Sequence, residues 1–307
     1  MSSVLYDAPG PKARARSRVI SVVGVVLVLA LLAWLVWALG APKASANGAI
    51  QPGMWDATRW DVFSDRQVWL ALGRGVVNTL KMAGVAAVIA LVLGVVFSFG
   101  RAADHKAIRI PTTIILEFVR GLPVLLMMLF ILLVFATGAY WAGVAALGLY
   151  NGAIIGEALR AGIQSLPRGQ REAGLAIGLT PLSTRFRIEF PQAFRQMLPI
   201  IIAQLVVLLK DTSLAFIVGY GELLREGVRN LPNYFGERYQ FSFFLVVLAI
   251  YLAMNMSLSW VARIIARRSG PQAGKLVAPE PTLTPKDSLA STRGSYSTGD
   301  AGGAGSA

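Results

Sequence analysis

Long apolar runs alternate with short polar ones along most of this 307-residue chain. Six runs are long enough to cross the roughly 30 Å hydrocarbon layer as helices, which takes about 20 residues. They fall at approximately 19–41, 75–99, 110–136, 139–163, 196–220 and 241–265. The predicted fold is all-α: a polytopic helical membrane protein with a five-helix core over 75–268. A short tail (1–18), an N-terminal transmembrane anchor (19–41) and an external loop (42–74) precede that core. The anchor follows basic residues, and Ala44-Ser45-Ala46 resembles a cleavage site. Its apolar stretch of about 22 residues nevertheless exceeds the roughly 7–15 of a secretory signal, so it reads as a retained helix. The stretch 269–307 is rich in Pro, Ser, Thr and Gly with few large apolar residues. It cannot bury enough surface to fold and reads as a disordered tail.

Composition supports the membrane reading. Only 15% of residues are charged, where a soluble domain carries about a quarter. There is no cysteine and a single histidine, His105, which excludes thiolate sites and makes a histidine metal site untenable. The net charge of +13 would suggest nucleic acid in a soluble protein, but here it is distributed by loop. Lys and Arg number four before the first span, three in 101–109, six in 160–195 and three in 263–268, sixteen in one set of loops. The opposite set holds seven, interleaved with acids in longer loops. The expected topology therefore puts both termini and the 168–195 loop in the cytoplasm of a multi-pass plasma-membrane protein. Trp55, Trp60 and Trp69 of the outer loop are expected to sit in the headgroup belt.

The 168–195 loop is the most polar stretch between spans. Good helix formers run from Gln170 to Ile177 and stop at Gly178. Thr180-Pro181 then supplies an N-cap and a first-turn proline for a second helix through about Phe190, interrupted at Pro191. The pattern predicts a helix–bend–helix outside the bilayer. Leu175, Leu179, Leu182, Phe186 and Phe190 offer apolar surface, rimmed by Arg171, Arg185 and Arg187. Such an element suits the groove of a soluble partner, and equally an amphipathic connector resting on anionic headgroups.

A resemblance bears on that choice. Glu172-Ala173-Gly174, then Gly178 with Leu179, Thr180 and Pro181, then Ile188 and Pro191 resemble the EAA loop of ABC-type importer permeases. The spacing is the same throughout, and the departures are Gly174 for an alanine and Phe190 for a leucine. Three further stretches are similar to the polar amino-acid uptake branch, which handles histidine, glutamine and glutamate. They are Glu117 to Leu126 with Arg120-Gly121-Leu122-Pro123, Ile155 to Gln170, and Leu208 to Leu214 with Lys210-Asp211-Thr212-Ser213. The resemblance covers roughly residues 70 to 230. It implies a coupling helix docked on a cytoplasmic ATPase dimer, a second permease chain, and an extracellular solute-binding protein that meets an outer loop such as 221–240. It also implies no cofactor on this chain, with ATP and Mg on the partner. Overall likeness to importers of actinobacterial character favours glutamate as cargo.

Ionisable groups within spans are expensive and are functional candidates. Lys81 can snorkel outward from its span. Glu117 and Arg120, and Glu157 and Arg160, are spaced to pair on one helix face. Arg120 precedes Gly121 and Pro123, where the helix is expected to be distorted. Lys210 and Asp211 diverge by about 100° around their helix. One of them can meet a neighbouring helix while the other, with Thr212 or Ser213, faces a substrate path; a buried ion pair is the structural alternative. Arg120 and Lys210 are the cations available to an acidic ligand. No G-x-x-x-x-G-K-[ST] loop is present, so the chain does not hydrolyse ATP itself. An ion-gradient-driven secondary transporter would show paired broken helices in two related halves, and none are evident. An intramembrane serine protease would need a base, and no span holds histidine.

Overall fold

A computed structural model describes residues 10–44 and 50–269. Helix α1 (Pro11–Gly40) opens on a proline at its first turn, where no N–H is needed. None of its apolar window is buried by the rest of the molecule. The outer segment that follows carries a two-residue antiparallel pairing, Lys43–Ala44 with Ile50–Gln51. Trp55 donates its indole N–H to Val36 O (2.9 Å), Trp60 to Met54 O (3.1 Å) and Trp69 to Phe63 O (2.8 Å). The three indoles therefore tie the segment to itself and to the end of α1, a role the headgroup-belt expectation did not contain.

Helix α2 (Arg66–Arg101) begins nine residues before the expected start at 75. Asp65 caps it by accepting from Gln67 N (2.7 Å). Val68, Ala71 and Leu72 bury in a small core with Leu223, Phe243 and Val247. Polar neighbours hide this turn from a hydropathy reading, and packing makes it helical. Helix α3 (Lys106–Gly121) and α4 (Val124–Phe135) occupy the predicted third span, but the chain bends by 105° between them. Pro123 enforces an extended residue before it, so the distortion expected after Arg120 becomes a full turn of direction.

Helix α5 (Ala139–Gln164) is the best-buried span. Gly148, Gly152 and Gly156 recur every four residues and so share one face. Added methyls there would stand 2.7 Å from Ile89 Cγ2, 2.9 Å from Leu93 Cβ and 2.9 Å from Phe97 Cβ of α2. Ala86, Ala90 and Gly94 answer them from α2, so the two backbones meet with no hydrophobic force needed between helices. Asn151 of α5 accepts from Gln204 (2.8 Å) across to the next span.

After α5 come α6 (Arg168–Ala176) and α7 (Pro181–Thr184), a π-helical turn (Arg185–Glu189) and α8 (Phe190–Asp211). Pro191 does not interrupt this run, contrary to expectation. The wide turn bonds Phe190 N to Arg185 O, and the register change lets a residue without N–H sit in the next turn. The same device recurs where α9 (Leu223–Arg225) passes through a π-helical turn (Glu226–Asn230) into α10 (Leu231–Phe235) with Pro232. Helix α11 (Gln240–Ser269) closes the bundle. The expected tail beyond Ser269, like residues 1–9, lies outside the described residues.

Candidate functional site

Two regions hold the residues singled out from sequence. At the basic end of the bundle, α6 and α7 form the predicted bend. Gly178 has φ +83°, a conformation that costs a side chain roughly 1–2 kcal/mol. Gly178 N bonds to Leu175 O (3.0 Å) and Leu179 N to Gly174 O (3.2 Å), closing α6. Thr180 caps α7 by accepting from Ser183 N (3.3 Å), with Pro181 in the first turn. Gly174 is buried where the two arms cross. A methyl on it would stand 2.5 Å from Thr184 Cγ2 and 3.0 Å from Ile188 Cδ1. The departure from alanine at this position is thus matched to a close crossing against Thr184 and Ile188.

The outward face of this element is apolar and open. Ile177 is 75% exposed, Leu182 65% and Phe186 60%, while Leu175, also exposed, lies on the other side of α6 with Arg168, Arg171 and Glu172. Ile177 was not anticipated as part of the outward face. Phe190, expected there, instead packs on Phe99 (5.3 Å between centroids) and Phe194. Arg185, expected on the rim, is buried. Leu179 is half-buried, and Glu172, Ala173 and Pro191 are exposed.

Behind the loop, an ion network joins three helices. Arg101 reaches Glu117 (2.8 Å) and Glu157 (2.7 Å), and Glu157 also pairs with Arg160. Arg120 stands 3.8 Å from Glu117, so the expected Glu117–Arg120 pair is secondary to Arg101. Sequence counting had assigned Arg101 only to topology, because its partners are 16 and 56 residues away.

The second region lies at the other end of α8, which stops at Asp211; Lys210 is about 30 Å along that helix from Phe190. A 3-10 turn (Thr212–Phe216) follows, and Gly219 (φ +93°) turns the chain. Lys210 is exposed and Asp211 half-buried. Thr212 is buried and donates its hydroxyl to Leu209 O (2.7 Å), while Ser213 donates to Lys210 O (2.9 Å). Both hydroxyls therefore close their own helix end. Arg120 belongs to the Arg101 network and does not join this group.

Sequence reading missed what holds this break. Glu222, one of the acids in the expected outer loop 221–240, is fully buried. It accepts from Leu224 N (2.8 Å), Arg225 N (2.7 Å) and the Tyr251 hydroxyl, and burial pushes its carboxyl upward. Asn78 donates to Gly221 O (2.7 Å) and Thr79 accepts from Leu223 N (3.1 Å), pinning the segment to α2.

Several apolar spans with a polar helix–bend–helix between α5 and α8 define a multi-pass transport subunit of the membrane. The chain belongs to the family described as binding-protein-dependent transport system inner membrane component, whose model matches residues 90–270. The glutamate transport system permease protein GluD of Corynebacterium glutamicum is 36% identical over 253 residues, 77% of this chain and 92% of that one. The probable glutamine ABC transporter permease protein GlnP of Bacillus subtilis is 32% identical over 195 residues, 62% of this chain and 89% of that one. The crystal structure of an amino acid ABC transporter with histidines matches with TM-score 0.61 and 27% identity, over 68% of this chain and 98% of that one. The chain is accordingly an ABC importer permease for polar amino acids, a transport subunit rather than an enzyme.

Proposed function

We propose that this chain lines the translocation path for glutamate in an ATP-driven importer, with both termini and the 168–195 loop in the cytoplasm. The observation that carries the reading is the open apolar face of Ile177, Leu182 and Phe186 on a bend held by Gly178. A rigid, partly apolar element of this kind transmits a partner's movement into α8, with which it is continuous through the π-helical turn. The partners are a cytoplasmic ATPase dimer that binds ATP and Mg, a second permease chain and an external solute-binding protein. Asp211, Lys210 and Ser213 flank the path where α8 ends. Lys210 suits the extra carboxylate of an acidic substrate, and the name carried by the Corynebacterium relative agrees with that charge.

The test is uptake of labelled glutamate by the complete complex in vesicles loaded with ATP. ATP-dependent accumulation, displaced at least tenfold better by unlabelled glutamate than by glutamine, is expected. Accumulation on an ion gradient without ATP would overturn the importer reading, and better displacement by glutamine would overturn the cargo alone.

A further inference from the structure

Behind the outward face of the loop, the basic end holds a cleft of about 910 Å³ between α3, the 102–105 turn, the end of α5 and one side of α6. Arg168, Arg171, Glu172 and Leu175 line it from α6, positions that share one helix face. Six arginines reach it in all, the others being Arg101, Arg109, Arg160 and Arg185, against the carboxylates of Asp104, Glu172 and Glu189. Arg101 and Arg160 are already paired with Glu117 and Glu157. Among the described residues, Arg109, Arg168 and Arg171 make no ion pair.

Arg185 is only 7% exposed, and its Nε makes no hydrogen bond. Its nearest carboxylate oxygens, on Asp104 and Glu189, stand 3.9 Å away. The neighbouring Thr184 hydroxyl is also buried and unpartnered. A buried guanidinium with an unmade bond is costly, and two carboxylates at ion-pair distance do not supply that bond, so an anion with several acceptor oxygens suits this position. Pro167, with no side-chain cap, brings the start of α6 to the same rim, adding uncommitted N–H groups and the positive end of the helix.

Guanidinium forks match phosphate oxygens in pairs. Beside the charged groups the lining has an apolar strip of Ile110, Ile114 and Ile163, with Thr113 and Gln164 as its polar members. Beyond them the outer side of α3 continues as exposed Ile114 and Phe118. A soluble anion gains nothing from that strip, whereas acyl chains do. We propose that the cleft binds an anionic phospholipid, its phosphate held by Arg109, Arg168, Arg171 and Arg185 and its chains laid along Ile110 and Ile114. Occupancy braces the inner side of α6 against α3, so the charge of the surrounding lipid bears on how the loop is seated. The site is independent of which amino acid is carried.

The full-length chain in neutral detergent, incubated with dioleoyl phosphatidylglycerol or dioleoyl phosphatidylcholine, tests this by native mass spectrometry, with inorganic phosphate as soluble competitor. Preference for phosphatidylglycerol of about tenfold or more is expected. Arg109→Gln with Arg168→Gln, both exposed in the free chain, should lower its affinity by about tenfold with an unchanged melting temperature. Arg185→Gln should remove the preference; if that variant does not fold, the double variant decides. Equal retention of the two lipids, or a preference unmoved by the double variant, overturns the proposal. Displacement of the lipid by millimolar phosphate also overturns it, in favour of a soluble-anion site.

Discussion

The helix–bend–helix and the Lys210–Ser213 break are both polar interruptions of an apolar bundle, yet they use their polar groups in opposite ways. In the loop, glycine, threonine and proline set the backbone, and the side chains left over form an open apolar face. At the break, hydroxyls close the helix end on themselves, and a buried carboxylate and two α2 residues hold the return segment. One region is a shape offered outward. The other is a helix end held in place, with Lys210 and Asp211 as its free chemistry. A docking element needs the first design, and a substrate path that must open and close suits the second.

That contrast can be broken from either side. The largest effect is expected for Gly174→Leu, which drives a side chain into Thr184 and Ile188 and costs about 3 kcal/mol of local packing. Limited proteolysis should then cut within 168–195 while the apolar spans stay protected; an uncut loop would deny the close crossing its role. Next is Asp211→Asn, which should lower glutamate uptake at least tenfold, about 1.4 kcal/mol, with ATPase assembly unchanged. Unchanged uptake would leave the break as a structural joint only. The smallest is Gly178→Ala, about 1 kcal/mol from the left-handed backbone, read as a modest fall in loop protection. An equal loss of uptake from Gly178→Ala and Asp211→Asn would erase the distinction between the regions.

The local features of the loop were legible because they are written in adjacent residues. Gly178 ends a helix, and Thr180-Pro181 starts one, whatever surrounds them. The apolar runs likewise marked five long apolar helices, while the expected span 110–136 is a pair bent by 105°. What needed the structure was set by distant partners: the buried first turns of α2, the pairing of Arg101, and the burial of Glu222 and Arg185. Gly121 and Pro123 mark the bend after Arg120 as a distortion, but not its size. Pro191 misled for another reason, since a π-helical turn absorbs a proline that an α-helical register would not. The stripe Gly148, Gly152, Gly156 stood in the sequence at four-residue spacing and could have been read as a close helix contact.

The central claim is that the outward face of 168–195 docks the ATPase. Its most direct measurement is affinity between the purified permease and that ATPase for Ile177→Glu combined with Leu182→Glu, the two most exposed apolar side chains of that face. Truncation of hot-spot positions costs about 2 kcal/mol or more, so binding weakened by about thirtyfold, in a chain that melts like the wild type, is the expected result. Unweakened binding by the doubly charged face would contradict it.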